Sequence, residues 1–146
     1  MIEVGLKAGD VFTWQNYPLF IDEEKPQRWL LYLGHNSIQA IVYEITTTTQ
    51  FRHYADGGSR VKNNFFKIPA GMGGLEKESI LDLTKYFERI PEVLFNKCKA
   101  DIEKKGTFTQ DYINRFVKYL KQDRNIAKII QKDICGYLRD AGFKVS

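Results

Sequence analysis

Four consecutive threonines, Thr46–Thr49, stand in the stretch EITTTTQF, residues 44–51. Threonine is β-branched and suits a strand. Alternation puts hydroxyls on both faces of that strand, so one face is partly polar where a core wants apolar groups. The run either ends a strand or lines a site. Other groups able to do chemistry lie close by in sequence. Arg28 follows a loop that carries Glu23 and Glu24, and His53 stands between Arg52 and Tyr54, within reach of a phosphate if the chain presents one. Taken alone, Arg28 is a strand-start arginine, expected to be solvated or paired with a nearby acid such as Glu23 or Glu24, and the acidic loop is charged because loops are wet. Trp14, Tyr17, Phe20, Phe51, Tyr54, Phe65 and Phe66 could stack nucleic-acid bases. Strand alternation sends most of them to the core. Tyr17 and Phe20, which precede the acidic cluster, are the ones expected in exposed contacts.

His35 is expected in a turn and inert, and Asp82 is expected to be structural or exposed. Cys98 and Cys135 lie far apart, with no CxxC and no histidine near either. Their spacing gives no zinc site, and no metal or other cofactor is expected. Both fall in apolar helical patterns that suit reduced, buried thiols.

The elements that must position these groups change in period along the chain. Strands are predicted over 9–17, 28–34, 38–49 and 65–71, with a polar, glycine-containing loop over 52–64. A short strand over 79–84 continues through KYFERI to Pro91. A helix is predicted over 91–106, with proline at its start and glycine at its end. Two more follow, over 107–122 and 123–142. Thr107 and Gln110 stand at capping-box spacing, and Gly142 is placed to stop the last helix. Strands first and helices after predict an α+β fold, mainly β: a small barrel or curled sheet with about three helices packed at one end.

The totals set the class. The chain has 146 residues, 43% of them hydrophobic and 27% charged, which is material for one cored domain, alone or with an appendage. No apolar run approaches the roughly 20 residues that span a bilayer, and MIEVGLKAGD lacks a signal pattern, so a cytosolic protein without a membrane partner is expected. The net charge of +4 is uneven. Residues 1–105 hold 14 Lys and Arg against 14 Asp and Glu, whereas residues 106–146 hold 8 against 4. The basic tail is a solvated helix surface or a nucleic-acid face. In the second case Arg115, Lys118, Lys121, Lys128 and Lys132 would serve a helix-turn-helix joined through QDRN.

One set of ordered motifs resembles a known family. KAGDVFTW, then DEEKPQRWLLYLG, IVYEITTTTQ, IPAGMGGLEKESILDL and ERIPEVLFNKC agree in order and spacing with the MazF/PemK family over about residues 7–98. The resemblance implies an SH3-like curled antiparallel β-barrel over residues 1–105, leaving 106–146 as a helical extension. It implies a metal-independent endoribonuclease that cleaves single-stranded RNA, the toxin of a toxin–antitoxin pair. Its partners would be that RNA, a cognate antitoxin protein and a second copy of itself in a homodimer.

In that chemistry the RNA 2′-hydroxyl attacks the adjacent phosphate and leaves a cyclic phosphate. The resemblance gives Arg28 the part of stabilising the extra charge of the phosphorane. It gives Thr48 and Thr49 that of holding phosphate oxygens, and Glu23 or Glu24 that of taking the 2′-hydroxyl proton. Gln50, Arg52, His53 and Tyr17 stand where they would contact RNA. Two positions depart from the family. Trp29 replaces its proline, and Lys85 falls where it has an acid, with Asp82 three residues earlier. The same barrel without catalysis, binding nucleic acid or a protein, is the second expectation. A tail folded into the RNA groove would make the chain self-inhibited.

Overall fold

A computed structural model of the chain describes residues 4–19 and 27–146. Glu23, Glu24 and Phe20 lie outside the described residues. Strands β1 (Asp10–Gln15), β2 (Gln27–Asn36) and β3 (Ile41–Thr48) form an antiparallel meander. Strands β4 (Phe65–Ile68) and β5 (Ser79–Asp82) form a hairpin on the far half of β3. A four-residue helix, α1 (Leu83–Tyr86), leads into β6 (Phe87–Pro91), which pairs with the near half of β3. Helix α2 (Glu92–Lys97) and a 3-10 turn bring the chain to β7 (Ile102–Thr107), on the outer edge of β1. Helices α3 (Gln110–Gln122) and α4 (Lys128–Asp140) complete the chain.

The fold is α+β and mainly β, as the period change predicts. The seven-stranded sheet runs β4-β5-β3-β2-β1-β7, with β6 also on β3, and no ladder among the described residues closes it into a barrel. A tight turn at Met72–Gly74 packs on β7 without strand pairing. A Cβ on Gly106 would lie 2.5 Å from the Gly73 carbonyl oxygen, so backbone meets backbone there and only glycine fits.

The predicted helix over 91–106 is realised only as α2, and its second half is β7. Ile102–Thr107 finds the unpaired edge of β1, and the ladder outweighs the helical preference of Glu103, Lys104 and Lys105. Two long helices therefore follow the sheet. The capping box at Thr107 does not form either. Thr107 ends β7, where its hydroxyl donates to Asp10 Oδ1 at 2.8 Å, and Thr109 is the residue before α3. Asp10, buried, also accepts from the Lys7 amide and pairs with Lys104, so it ties β1 to β7. The stop at Gly142 forms: its amide donates to Arg139 and that of Phe143 to Leu138, with Gly142 at φ 104°.

The sheet is apolar on both faces. One face carries Val11, Leu31, Leu33, Tyr43 and Ile45 and packs under α3 and α4 through Ile113, Phe116, Leu120, Ile134 and Leu138. The tail is thus part of the sheet's own core, and the expected boundary at 105/106 falls inside β7. Helix α4 sits close enough on β2 that a Cβ at Gly34, which has φ 132°, would lie 2.2 Å from the Tyr137 ring. The other face carries Phe12, Trp14, Leu30, Tyr32 and Val42, closed by Tyr17 and by Phe95 of α2.

Candidate functional site

Four of the residues singled out in the sequence meet in one place. A cleft of about 460 Å³ opens at the end of β3, lined by Arg28, Thr48, Thr49 and Gln50. Trp29 and Thr47 line it beside them, and Gln15 and Gln27 come from the paired ends of β1 and β2. Leu75, Glu76, Lys77 and Ser79 complete it from the segment that leads into β5. Segments separated by tens of residues converge here because β3 is central. Its register puts Leu30 opposite Thr46 on one side and Ile80 opposite Thr48 on the other.

The threonine run splits by alternation. Thr46 is buried on the face shared with Glu44 and Tyr17. Thr47 points to the opposite face and donates to the Trp29 carbonyl at 2.9 Å, which fastens β3 to β2. The Thr48 hydroxyl accepts from the Gln50 amide at 3.2 Å and so shapes the turn that leaves the strand. Accepting there leaves its O–H proton to donate into the cleft it lines. Thr49 is exposed. The run therefore both ends the strand and lines a site.

Arg28 is 6% exposed, so its charge sits in a wall of the cleft and not in open solvent. Lys77 adds a second cation, and Glu76 is the one carboxylate of the lining among the described residues. With three glutamine amides and several hydroxyls, the lining can grip an anionic, hydrogen-bonding ligand. Trp29 is half-buried in the wall beside Arg28, with Lys105 Nζ 5.9 Å from its ring centroid. The position where the resembling family has proline thus offers an aromatic surface to the cleft.

Other predicted residues lie elsewhere. Arg52 and His53 follow Gln50 in a 3-10 turn but do not line the cleft, and His53 Nδ1 lies 3.4 Å from Ser59 Oγ. Tyr17, expected in exposed contact with RNA, is 7% exposed. It packs edge-on against Trp14 at 5.0 Å and its hydroxyl donates to Glu44 Oε2 at 2.6 Å. An aromatic next to an apolar sheet face turns inward, and the buried carboxyl satisfies its hydroxyl. His35 lies within β2 and its Nε2 is 3.4 Å from Glu92 Oε1.

Asp82 is fully buried and structural. It caps α1 by accepting from the Thr84 and Lys85 amides, and its other oxygen accepts from Tyr54 at 2.7 Å and Asn63 at 2.9 Å. The acid that sequence reasoning passed over is Glu44. It is fully buried, and burial pushes its carboxyl up to about 8, against the downward pull of the Tyr17 hydrogen bond. Glu88 stands directly across from it on β6, raises it further, and is itself raised by burial. Neither lines the cleft. In sequence Glu44 hides inside an apolar strand, and only its lone charge in that run marks it.

No residue beyond Ser79 lines the cleft, so the tail does not fill it. Among the described residues no group of three or more His, Cys, Asp or Glu is placed to hold a metal ion, and no helix is long and apolar enough to cross a membrane. No protein-family model matches the chain, and no curated protein matches it.

Proposed function

We propose that the chain is a metal-independent endoribonuclease of the MazF/PemK kind, acting on single-stranded RNA as the toxin of a cytoplasmic toxin–antitoxin pair. The observation that carries this reading is the convergence of Arg28, Thr48, Thr49 and Gln50 on one cleft together with Lys77. The fold is read as an SH3-like barrel left open at the Met72–Gly74 turn. In the reaction the scissile phosphate sits against Arg28, and the Thr48 and Thr49 hydroxyls donate to its oxygens. The guanidinium stabilises the charge that develops on the phosphorane, in a wall where water screens it little. A base stacks on Trp29 and fixes the strand's register. The carboxylate that takes the 2′-hydroxyl proton comes from Glu23 or Glu24. The antitoxin and a second copy of the chain are the protein partners of this reading.

A non-catalytic module that binds nucleic acid or a protein is the second reading. It is favoured by the fate of the acids: Asp82 is consumed in capping α1, and Glu76, the lining's one described carboxylate, is solvent-exposed. Incubation of long single-stranded RNA with the protein in EDTA, beside Arg28→Ala, separates the two. Discrete fragments ending in cyclic phosphate, reduced on the order of 10²-fold or more in the variant, are the expected result. RNA left intact by the folded wild-type protein refutes the enzyme. Fragments made equally well by Arg28→Ala remove the site from this cleft.

A further inference from the structure

The edge of the sheet opposite β7 is open. Strand β4 ends the strand order and pairs only with β5 among the described residues. Beside its free edge runs α3, and between the two lies a groove of about 630 Å³. Among the described residues its charged side chains are Lys67 of β4 and Arg115 and Lys118 of α3, with no carboxylate in the lining. This groove is separate from the cleft at the end of β3, with which it shares no residue.

A lysine on a four-residue edge strand is an ordinary guard against unwanted pairing. Arg115 and Lys118 need another account, because they come from a different element and face the same groove. Arg115 is held 4.7 Å over the Tyr112 ring, and both cations are exposed. The aromatic rings near the groove are already engaged. Phe66 packs on Tyr119 with centroids 4.8 Å apart, and Phe65 meets Tyr54 edge-on at 4.6 Å. Each of these rings is thus packed against another ring. What remains on offer is a row of backbone N–H and C=O groups at strand spacing, flanked by cations on both sides of the strand.

We propose that this groove receives an extended acidic segment of a partner protein, which adds to the sheet as a strand along β4. Backbone groups of the segment pair with those of Phe65–Ile68. Its side chains alternate, so acids on one face meet Arg115 and Lys118 and acids on the other meet Lys67. The proposal does not depend on RNA cleavage at the other cleft.

The test uses the full chain and a short fluorescein-labelled peptide alternating valine and glutamate, followed by anisotropy and by hydrogen–deuterium exchange. Saturable binding is expected, with exchange slowed at the amides of residues 65–68. Arg115→Glu combined with Lys118→Glu should weaken binding by about tenfold or more, since two attractions become repulsions. Both positions are exposed, so the fold persists, which circular dichroism checks. The same peptide with lysine in place of glutamate should not bind. The proposal is overturned if the acidic peptide fails to bind, if the double variant binds it as well, or if exchange at 65–68 is unchanged. Oligouridine binding that the double variant abolishes, with the peptide inert, makes the groove a nucleic-acid surface instead.

Discussion

Replacing Glu44 by glutamine should stabilise the protein at alkaline pH and change it little near about pH 5. Glu44 is fully buried, and its carboxyl titrates at about 8 in the fold against an ordinary 4.5. The folded protein therefore keeps a proton that the unfolded chain releases. Stability is complete below the unfolded value and falls as pH rises through the folded one. Each pH unit in that window is worth about 1.4 kcal/mol, so the full loss approaches about 5 kcal/mol. Between about pH 5 and about pH 8 it amounts to roughly 3 to 4 kcal/mol, a large share of the 5–15 or so that hold a domain together. Glutamine keeps the shape, can accept from the Tyr17 hydroxyl through its carbonyl, and does not titrate. Urea unfolding followed by tryptophan fluorescence, at a series of pH values, gives the difference between the two proteins. Glu88 titrates in both and largely cancels. A stability gap that stays constant from about pH 5 to about pH 8 refutes the assignment. Because Glu44 lines no part of the cleft, the variant should retain whatever RNA activity the wild type has.

Asp82→Ala strands four donors in or near the core and should cost about 3 kcal/mol or more in urea unfolding; a loss under about 1 kcal/mol contradicts the capping role. Trp29→Ala should weaken oligouridine binding by about 1–3 kcal/mol in anisotropy titrations, and unchanged affinity removes the stacking role. Deleting residues 107–146 removes Phe108, Ile113, Phe116, Leu120, Ile134 and Leu138, each at most 2% exposed. At about 1.5 kcal/mol or more apiece that is roughly 9 kcal/mol, so the truncated chain should lack a cooperative thermal transition; a folded, soluble truncation contradicts the shared core.

Much of the sheet was legible because its strands carry period-two patterns with turn residues between them. Arg28, Thr48, Thr49 and Gln50 were grouped in the sequence only through the family resemblance; the antiparallel pairing of β2 with β3 is what brings the start of one strand to the end of the other. What misled was local signal. Pro91 and Gly106 bracket a convincing helix, yet half of it is β7, because the open edge of β1 lies far away in sequence. Tyr17 beside an acidic loop reads as exposed, and nothing local reveals that Glu44 waits for its hydroxyl. Lys77 and Trp29 entered the cleft unannounced, one through a turn that packs on β7 and the other through the register of β2.

Asp82, three residues before Lys85, stands where β3 changes partners. Strand β3 changes partners at Thr46: Ile45 faces Phe87 of β6, and Thr47 faces Leu81 of β5. Residues 82–86 must be taken up opposite that single position, and they are folded into α1. Asp82 makes this possible by capping the helix with one oxygen and holding Tyr54 and Asn63 with the other. If the cap were lost, β5 and β6 could close into one continuous strand only by shifting register on β3. The register of β5 would set Asp82 opposite Thr46 and that of β6 would set Tyr86 there, so closure carries β5 four residues along β3; that even shift keeps its side chains on their faces but takes Ser79 and Lys77 away from Thr48 and Thr49. Asp82→Asn, which keeps the shape but can offer only one acceptor oxygen and sets an NH2 against the remaining donors, should therefore lower RNA affinity at the cleft, some way from the substituted residue. A variant that loses stability but binds RNA as before would separate the cap from the cleft.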